Sequence, residues 1–147
     1  MYSHLFVPTD GSKLSDRAVA HAIDLAKATK ARITIFHAII DVPQPVYADG
    51  VSVQMTMPSS YMKQAKARTD KLLERLAKKA KAAGVQCATA QAATDAPWQA
   101  IIEASKKAKA DTIVMASHGR RGLAGLLLGS ETAKVLTHSK LPVLVVR

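Results

Sequence analysis

Residues 112–130 read TIVMASHGRRGLAGLLLGS, and this stretch decides the fold class of the chain. It opens with a short apolar run, Thr112 to Met115, which is typical of a buried strand. A loop rich in small residues follows, with glycines at 119, 122, 125 and 129. Gly129 and Ser130 then open a helical segment, Glu131 to His138. A strand followed by a helix is the repeating unit of α/β proteins.

Strands and helices alternate along the rest of the chain as well. Hydrophobic patterning predicts strands at residues 4–7, 32–40, 85–92, 112–116 and 142–146. It predicts helices at residues 15–30, 59–83, 95–109 and 131–138, with Ser12 and Asp95 as N-caps and Gly84 as a stop. Because the strands are continuous apolar runs joined by helices, we expect an α/β fold with an open five-stranded parallel sheet and helices on both faces.

One long segment, residues 41–58, lacks this regularity and carries Pro43, Pro45, Gly50 and Pro58. Prolines and glycines at this density interrupt regular structure, so we expect an irregular loop here. Two interpretations of the loop stay open. It is either a lid that contacts a ligand or a disordered tether.

Composition is typical of a single-domain cytoplasmic protein. The chain has 147 residues, 48% of them hydrophobic, which predicts one domain spanning residues 1–147. No apolar run approaches the roughly 20 residues of a membrane-spanning helix, and the first residues enter a strand without a signal-peptide pattern. Cys87 is the only cysteine, which excludes an internal disulfide and fits a reducing compartment.

The formal net charge of +10 raises the question of a nucleic-acid partner. Much of the excess lies between Lys63 and Lys81, where basic residues fill the positions between periodic apolar ones. This pattern is typical of the solvated outer face of an amphipathic helix. Aromatic residues make up 4% of the chain and none lies among these lysines, so a stacking platform for single strands is missing. We therefore expect no sequence-specific nucleic-acid partner and no membrane partner.

The glycine-rich loop and the helix after it have the chemistry of an anion site. Glycines let backbone N–H groups approach an anion, and the first amides of a helix are unpaired and favour negative charge. Arg120 and Arg121 add charge-assisted contacts, and Ser130 either caps the helix or contacts a phosphate oxygen. Ligands of parallel sheets bind beyond the carboxyl ends of the strands, so the turn at residues 9–11 is expected to face the same cleft.

The glycine spacing matches neither the Walker motif nor the dinucleotide-binding motif. It resembles instead the signature of the universal stress protein family, Gly-x2-Gly-x9-Gly-[Ser/Thr]. Gly119 takes the second place and Gly129–Ser130 the third, whereas Ala116 stands where nucleotide-binding members usually have the first glycine. The resemblance extends over the whole chain, since residues 7–12, 35–38, 114–119 and 141–146 also sit where that family has corresponding segments.

This resemblance implies a Rossmann-like sheet of strand order 3-2-1-4-5 and a dimeric stress-response protein that joins two copies through the last strand. The apolar run at residues 143–146 agrees, because it would be an aggregation hazard as an open edge. The resemblance also implies an adenine nucleotide, ATP or AMP with or without Mg²⁺, as a regulatory ligand. By position, the implied site consists of Pro8, Thr9, Asp10 and Ala38 near adenine and ribose, Met115 and Ala116 on the floor, and Gly119, Gly129, Ser130, Glu131 and Thr132 around the phosphates.

Three of these residues carry alternatives. Asp10 accepts a ribose hydroxyl or helps to hold Mg²⁺, or else it is a turn residue bonded to its own backbone. Ala116 costs about 1 to 2 kcal/mol if its backbone must be left-handed, and it only crowds the ligand if its backbone is ordinary. Glu131 would repel phosphates unless a cation or the arginines intervene.

Catalysis and metal chemistry have weaker signals. His118 is either a general base or a loop histidine bonded to the backbone, and no carboxylate or nucleophile lies at a diagnostic spacing from it. The remaining histidines lack the paired spacing of a zinc site. Three hypotheses follow: regulatory binding of an adenine nucleotide, slow ATP hydrolysis assisted by His118 and Asp10, and a protein-interaction module without nucleotide, which Ala116 favours.

Overall fold

A computed structural model of the chain describes residues 2–48, 50–119 and 128–147, along which strands alternate with helices. The strands are β1 (His4–Pro8), β2 (Arg32–Ile40), β3 (Gln44–Ala48), β4 (Val51–Met55), β5 (Cys87–Thr94), β6 (Thr112–Ala116) and β7 (Val143–Val146). The helices are α1 (Lys13–Thr29), α2 (Ser59–Ala82), α3 (Pro97–Lys107) and α4 (Ser130–His138). The predicted strands at 32–40 and 112–116 coincide with β2 and β6.

Five of the strands form one parallel sheet in the order β5-β2-β1-β6-β7. Numbered along the chain without β3 and β4, this is the predicted order 3-2-1-4-5, and the predicted α/β class is confirmed. The chain proceeds from β1 through β2 to β5 on one side, and it places β6 and β7 on the other side of β1. The strand order therefore reverses between β1 and β6, which is where open α/β sheets form a crevice beyond their carboxyl ends.

The prediction of an irregular loop at residues 41–58 is wrong. β3 and β4 pair there as an antiparallel hairpin, with Gln44 opposite Met55 and Ala48 opposite Val51. Gly50 has a φ of 77°, a left-handed conformation that glycine adopts without strain. The sequence does carry a signal for this hairpin, because an Asp-Gly pair at 49–50 separates two valine-containing runs. The prolines around those runs masked the signal.

In α1, α2 and α3, the helix ends follow the capping chemistry predicted from the sequence with one exception, at the start of α3. Ser12 caps α1, since its Oγ accepts a hydrogen bond from the Ser15 amide at 3.1 Å. Gly84, with a φ of 77°, follows the end of α2 as predicted. Asp95 does not cap α3. The N-cap is Ala96, whose amide donates to Thr94 Oγ1 at 3.0 Å, and Pro97 occupies the first helical position, where a missing N–H costs nothing.

Each face of the sheet carries its own hydrophobic core because alternate residues of a strand point to opposite faces. On one face, Leu5 and Val7 of β1 pack with α1 and α2 residues such as Val19 and Leu76. On the other face, Phe6 packs with Phe36, at 5.5 Å between ring centroids, and with α3 and α4. Within the described ranges, no helix has the length and apolar character needed to cross a membrane.

Candidate functional site

The turn after β1 is held rigidly at the carboxyl edge of the sheet. The Thr9 amide donates to the Phe36 carbonyl of β2 at 2.8 Å, which extends the sheet by one bond. The buried Thr9 Oγ1 lies 2.9 Å from Ser15 Oγ and accepts from the Gly11 amide at 3.1 Å. Gly11 has a φ of 76°, which explains a glycine at this position. The turn is therefore a fixed element of the site.

Asp10 is bonded to its own turn, and it also faces the loop after β6. Its Oδ1 accepts from the Ser12 amide at 2.9 Å, as the turn interpretation predicts. Its Oδ2 lies against Gly119, so closely that a Cβ placed on Gly119 would collide with this oxygen. The β1 turn and the β6 loop therefore meet across the reversal of strand order, and glycine at 119 makes the meeting sterically feasible.

Ala116 has an ordinary strand backbone, so alanine at this position carries no cost of a left-handed conformation. It is the last residue of β6, is buried, and pairs with Val146. Its carbonyl accepts from Thr132 Oγ1 at 2.9 Å, which ties the first turn of α4 to the strand. The left-handed conformation is excluded, since Lys30 and Lys109 are the non-glycine residues with positive φ among those described. The methyl group of Ala116 thus affects a ligand by crowding alone.

Gly129 has its amide used inside the protein. That amide donates to the Ser117 carbonyl at 2.7 Å, and the Ala133 amide donates to the Gly129 carbonyl at 2.9 Å. The latter is the first helical bond of α4, so the amides of residues 130–132 precede it and have no acceptor within the helix. A Cβ on Gly129 would lie 3.0 Å from His118 Cα, so this glycine permits close packing of the loop.

Ser130 is the first residue of α4 and is exposed, and the N-cap is Gly129 without a side-chain cap. The capping alternative for Ser130 is therefore excluded, and its amide, as the first of α4, has no acceptor within the helix. The Thr132 hydroxyl is buried in its bond to Ala116. Arg120 and Arg121 lie outside the described residues.

The side chain of Glu131 is directed at α3. Its Oε2 accepts from the Trp98 amide at 2.9 Å, and its Oε1 accepts from Lys134 Nζ at 3.0 Å. The carboxylate thus serves the amino end of α3, where negative charge is favoured, and Lys134 balances it. Lys134 is therefore a cation of the same helix that reduces the repulsion expected between Glu131 and a phosphate.

The other predicted residues lie on three adjacent strands. Pro8 ends β1 and is buried, and Met115 is 6% exposed within the core formed around Phe6. Ala38 is half-buried on β2, two positions beyond Phe36, the partner of Pro8. The structure therefore brings Pro8, Thr9 and Asp10 to the β6 loop, with Ala38 on the strand alongside.

His37 has a role in this site that the sequence pattern does not predict. Its Nδ1 donates to the Thr9 carbonyl at 2.8 Å, so the imidazole braces the β1 turn from β2. The signal in the sequence is only a polar residue near the end of a buried strand. His118, by contrast, places its Nδ1 3.2 Å from Ser117 Oγ, which differs from the backbone bond that one interpretation predicted.

No group of three metal-ligating side chains occurs among residues 2–48, 50–119 and 128–147. A groove of about 540 Å³ lies elsewhere, between α1 and β7, and is lined by Arg17, His21, Asp24 and Leu144 among others. Where the β1 turn meets the β6 loop, the described residues offer fixed backbone groups and the Asp10 carboxylate for hydrogen bonding.

Comparison with known proteins assigns the family. The chain matches the universal stress protein family over residues 1–147. Universal stress protein MJ0531 of Methanocaldococcus jannaschii is 33% identical over 147 residues, which cover 100% of this chain and 83% of that protein. The solved structure of UspA from Lactobacillus plantarum has the same fold, with a TM-score of 0.82 at 20% identity over 99% of this chain and 98% of that one. The solved structure of a universal stress protein in complex with cAMP has a TM-score of 0.72 at 29% identity, over 99% of this chain and 97% of that one. The chain therefore belongs to the universal stress protein family.

Proposed function

We propose that the protein binds an adenine nucleotide, ATP or AMP, at the carboxyl edge between β1 and β6, and that occupancy regulates its contacts with other molecules. One observation carries the proposal. The Asp10 carboxylate lies against Gly119, so the β1 turn and the β6 loop meet at the point where the strand order reverses. Open α/β sheets bind their ligands at this point.

The class of ligand is supported by the relative that was solved in complex with cAMP, an adenine nucleotide. The two chains are 29% identical over nearly their full lengths. We infer an adenine nucleotide for this chain from that relative and from the glycine motif together. ATP in particular rests on the motif.

The proposed contacts divide between the two sides of the crevice. Adenine and ribose bind on the β1 side of the crevice, at Pro8, Thr9 and Asp10, with Ala38 beside them. The amides of residues 130–132 at the start of α4 take the phosphates, because they lack helical acceptors and lie at the positive end of the helix dipole. Gly129 contributes by its missing side chain, since its amide is bonded to Ser117.

Mg²⁺ fits this site only when it is bound together with the phosphates of the nucleotide. Mg²⁺ keeps several waters and is usually bound by one or two carboxylates together with phosphates. Asp10 is the carboxylate that the described site offers, and its Oδ1 is already bonded to the Ser12 amide. The ion would therefore depend mainly on the phosphates.

The proposal is binding as a regulatory event, with turnover as the alternative to be tested. Freshly purified protein is heat-denatured and the released nucleotide identified, and ATP, AMP and cAMP are then titrated by calorimetry with and without Mg²⁺. We expect saturable heat for at least one of them. Phosphate release is compared for the wild type and His118→Ala. A rate that falls in the variant would make the protein a slow ATPase.

The matched variants for this experiment are Asp10→Asn and Glu103→Gln. Both remove one negative charge, but Glu103 is exposed on α3, away from the crevice. We expect Asp10→Asn to weaken the nucleotide by about tenfold, as the loss of a charge-assisted hydrogen bond requires, and Glu103→Gln to leave affinity unchanged. No retained nucleotide and no heat would leave a nucleotide-free interaction module.

We also propose a homodimer that pairs β7 with its copy. β7 is an edge strand of the sheet, and Leu144 within it is 36% exposed. Open apolar edge strands are covered in stable proteins, and a second β7 would cover this one. The groove between α1 and β7 lies beside the same edge.

We also propose that the protein is located in the cytoplasm. Cys87 is half-buried, and burial raises the pKa of its thiol to about 11. Such a thiol forms little thiolate at neutral pH, which fits a cysteine that stays reduced. Cell fractionation with an antibody against the full chain tests the location.

A further inference from the structure

The edge of the sheet opposite the candidate nucleotide site is strongly basic. In a parallel sheet with helical crossovers, helices end where strands begin, so the ends of α1, α2 and α3 share the amino edge of the sheet. Backbone bonds tie these strand starts together: the Arg32 amide donates to the Ser3 carbonyl at 3.0 Å, and the Asp111 amide to the His4 carbonyl at 3.0 Å. We call this surface the basic edge.

The cations of the basic edge come from the ends of three helices, the start of β2 and two loops. The α1 and α2 ends and the start of β2 supply Lys27, Lys30, Arg32, Lys78, Lys79 and Lys81. The α3 end and the loops before β6 and β7 supply Lys106, Lys107, Lys109 and Lys140. All of these residues are exposed.

Negative charge is scarce at the basic edge. Among the described residues, only Lys78 of these cations forms an ion pair, at 2.7 Å to Glu74. Asp111 lies in the loop before β6, and its Oδ2 accepts from the Ser3 amide, the Ser3 hydroxyl and the His4 amide. The basic edge therefore keeps nearly all of its positive charge.

Helix stability accounts for only part of this pattern. Cations in the last turn of a helix stabilise its dipole, which covers Lys27, Lys79, Lys81, Lys106 and Lys107. Lys30 and Lys109 are different. They have φ values of 58° and 55°, a left-handed conformation that glycine adopts without steric cost and lysine does not. Two lysines thus occupy glycine-like positions at the same edge, which points to a use for their charge.

We propose that the basic edge docks the phosphodiester backbone of double-stranded nucleic acid without reading its sequence. The sheet is about 19 Å wide at five strands, and a duplex presents about one phosphate charge per 1.7 Å of axis. Lysines contact phosphates as point charges, and contacts to phosphates carry no sequence information directly. The basic edge is separate from the proposed nucleotide site, because the two lie at opposite edges of the sheet.

Two other occupants fit less well. A second copy of the chain would bring like charges together. An anionic membrane surface favours apolar side chains beside the cations, whereas the exposed apolar side chains Ile40, Val42, Tyr47, Val51 and Met55 belong to the end of β2 and the β3–β4 segment, at the carboxyl side. Nearest the basic edge, the exposed large apolar residues among those described are single side chains on separate elements: Tyr2 before β1, Leu136 in the last turn of α4 and Leu144 near the start of β7.

The test uses the double variant Lys30→Gly/Lys109→Gly in the full chain. Glycine suits both backbone positions, so we expect a thermal midpoint equal to or above that of the wild type. Binding of a fluorescent DNA duplex of about 20 base pairs is measured by anisotropy at several salt concentrations. We expect the wild type to bind with a dissociation constant of about 10⁻⁶ to 10⁻⁴ M and equally to a shuffled sequence.

The matched control is Lys63→Gln/Lys66→Gln, which removes two charges from the exposed face of α2 far from the basic edge. We expect the glycine variant to lose about tenfold or more in affinity and about 2 in the slope of log K against log salt, with a much smaller loss in the control. Equal losses in both variants, no duplex binding by the wild type, or binding of phosphatidylserine vesicles in place of duplex would overturn the proposal.

Discussion

Glu131 and Trp98 join the starts of two helices: the Glu131 Oε2 atom accepts a hydrogen bond from the Trp98 amide at 2.9 Å. The carboxylate therefore compensates the amino end of α3, which has no side-chain cap of its own. Trp98 also stacks on His138 of α4, with ring centroids 4.6 Å apart. Glu131 thus connects the first turn of α4, at the proposed phosphate site, to the only tryptophan of the chain.

Replacement of Glu131 by alanine removes this cap, and we expect it to lower the free energy of unfolding by about 1 kcal/mol. Lys134→Gln is the control, because it breaks only the exposed ion pair and should cost less than about 0.5 kcal/mol. Urea denaturation of both variants measures the difference. Equal effects would mean that the bond to Trp98 contributes nothing. Trp98 emission reports directly on the α3–α4 contact in the same samples.

Replacement of Ala116 by glycine restores the first glycine of the family signature. Because Ala116 has strand geometry, we expect the change to relieve crowding and to raise nucleotide affinity by up to about tenfold. The same change should destabilise β6 by about 0.5 to 1 kcal/mol. Ala93→Gly, at an exposed position of β5, is the control that loses stability without a change in affinity. Calorimetry that shows weaker binding by the Ala116 variant would contradict this account.

Replacement of Gly119 by alanine pushes a methyl group into the Asp10 carboxylate. We expect loss of nucleotide affinity by about tenfold, because the Asp10 carboxylate must move away from the loop. A double-mutant cycle with Asp10→Ala isolates the collision, since the methyl group then has nothing to displace. If Gly119→Ala costs as much in the Asp10→Ala background as in the wild type, the collision is not the cause.

Stability should fall at mildly acidic pH because of His4. Burial of its imidazole, together with the Arg32 charge, lowers the His4 pKa, while the Lys109 and Ala108 carbonyls and Asp111 oppose the shift. Its Nε2 lies 2.8 Å from Thr34 Oγ1 inside the protein. The unfolded chain, with a histidine pKa of about 6.5, binds more protons than the folded one, so the contribution is complete above that value. It is lost as the pH falls from there through the lower folded pKa.

The measurement is the urea midpoint between about pH 8 and pH 5.5. We expect His4→Gln to show a weaker pH dependence than the wild type in this window. His21→Gln, an exposed position on α1, should keep the wild-type dependence. A wild-type curve without a decline below about pH 6.5 would rule out His4 as the sensitive group.

The proposed dimer is tested by replacing Leu144 with lysine. A charge on an edge strand blocks pairing of that edge, so we expect a monomer in light scattering. Leu136→Lys places the same charge on α4, where Leu136 is 41% exposed, and should leave the dimer intact. A monomeric wild type, or a variant that stays dimeric, would exclude pairing through β7.

Much of the fold is legible in the sequence because burial leaves a periodic pattern in each element. The apolar runs at residues 32–40 and 112–116 match β2 and β6, and Ser12 caps α1 as its chemistry predicts. The hairpin at residues 44–55 was missed, since prolines interrupt a weak alternating pattern. Its pairing depends on the partner strand as much as on either sequence.

By itself, the sequence determined the α/β class, the strand order through the family resemblance, and the place of the glycines between β6 and α4. Tertiary structure alone decided what the site residues do. The Gly129 amide donates to the Ser117 carbonyl, the Glu131 carboxylate accepts from the Trp98 amide, and Ala116 has strand geometry. The reason is physical. Periodicity records which face of an element is buried, whereas the partner of a polar atom depends on packing between elements that lie far apart in the chain.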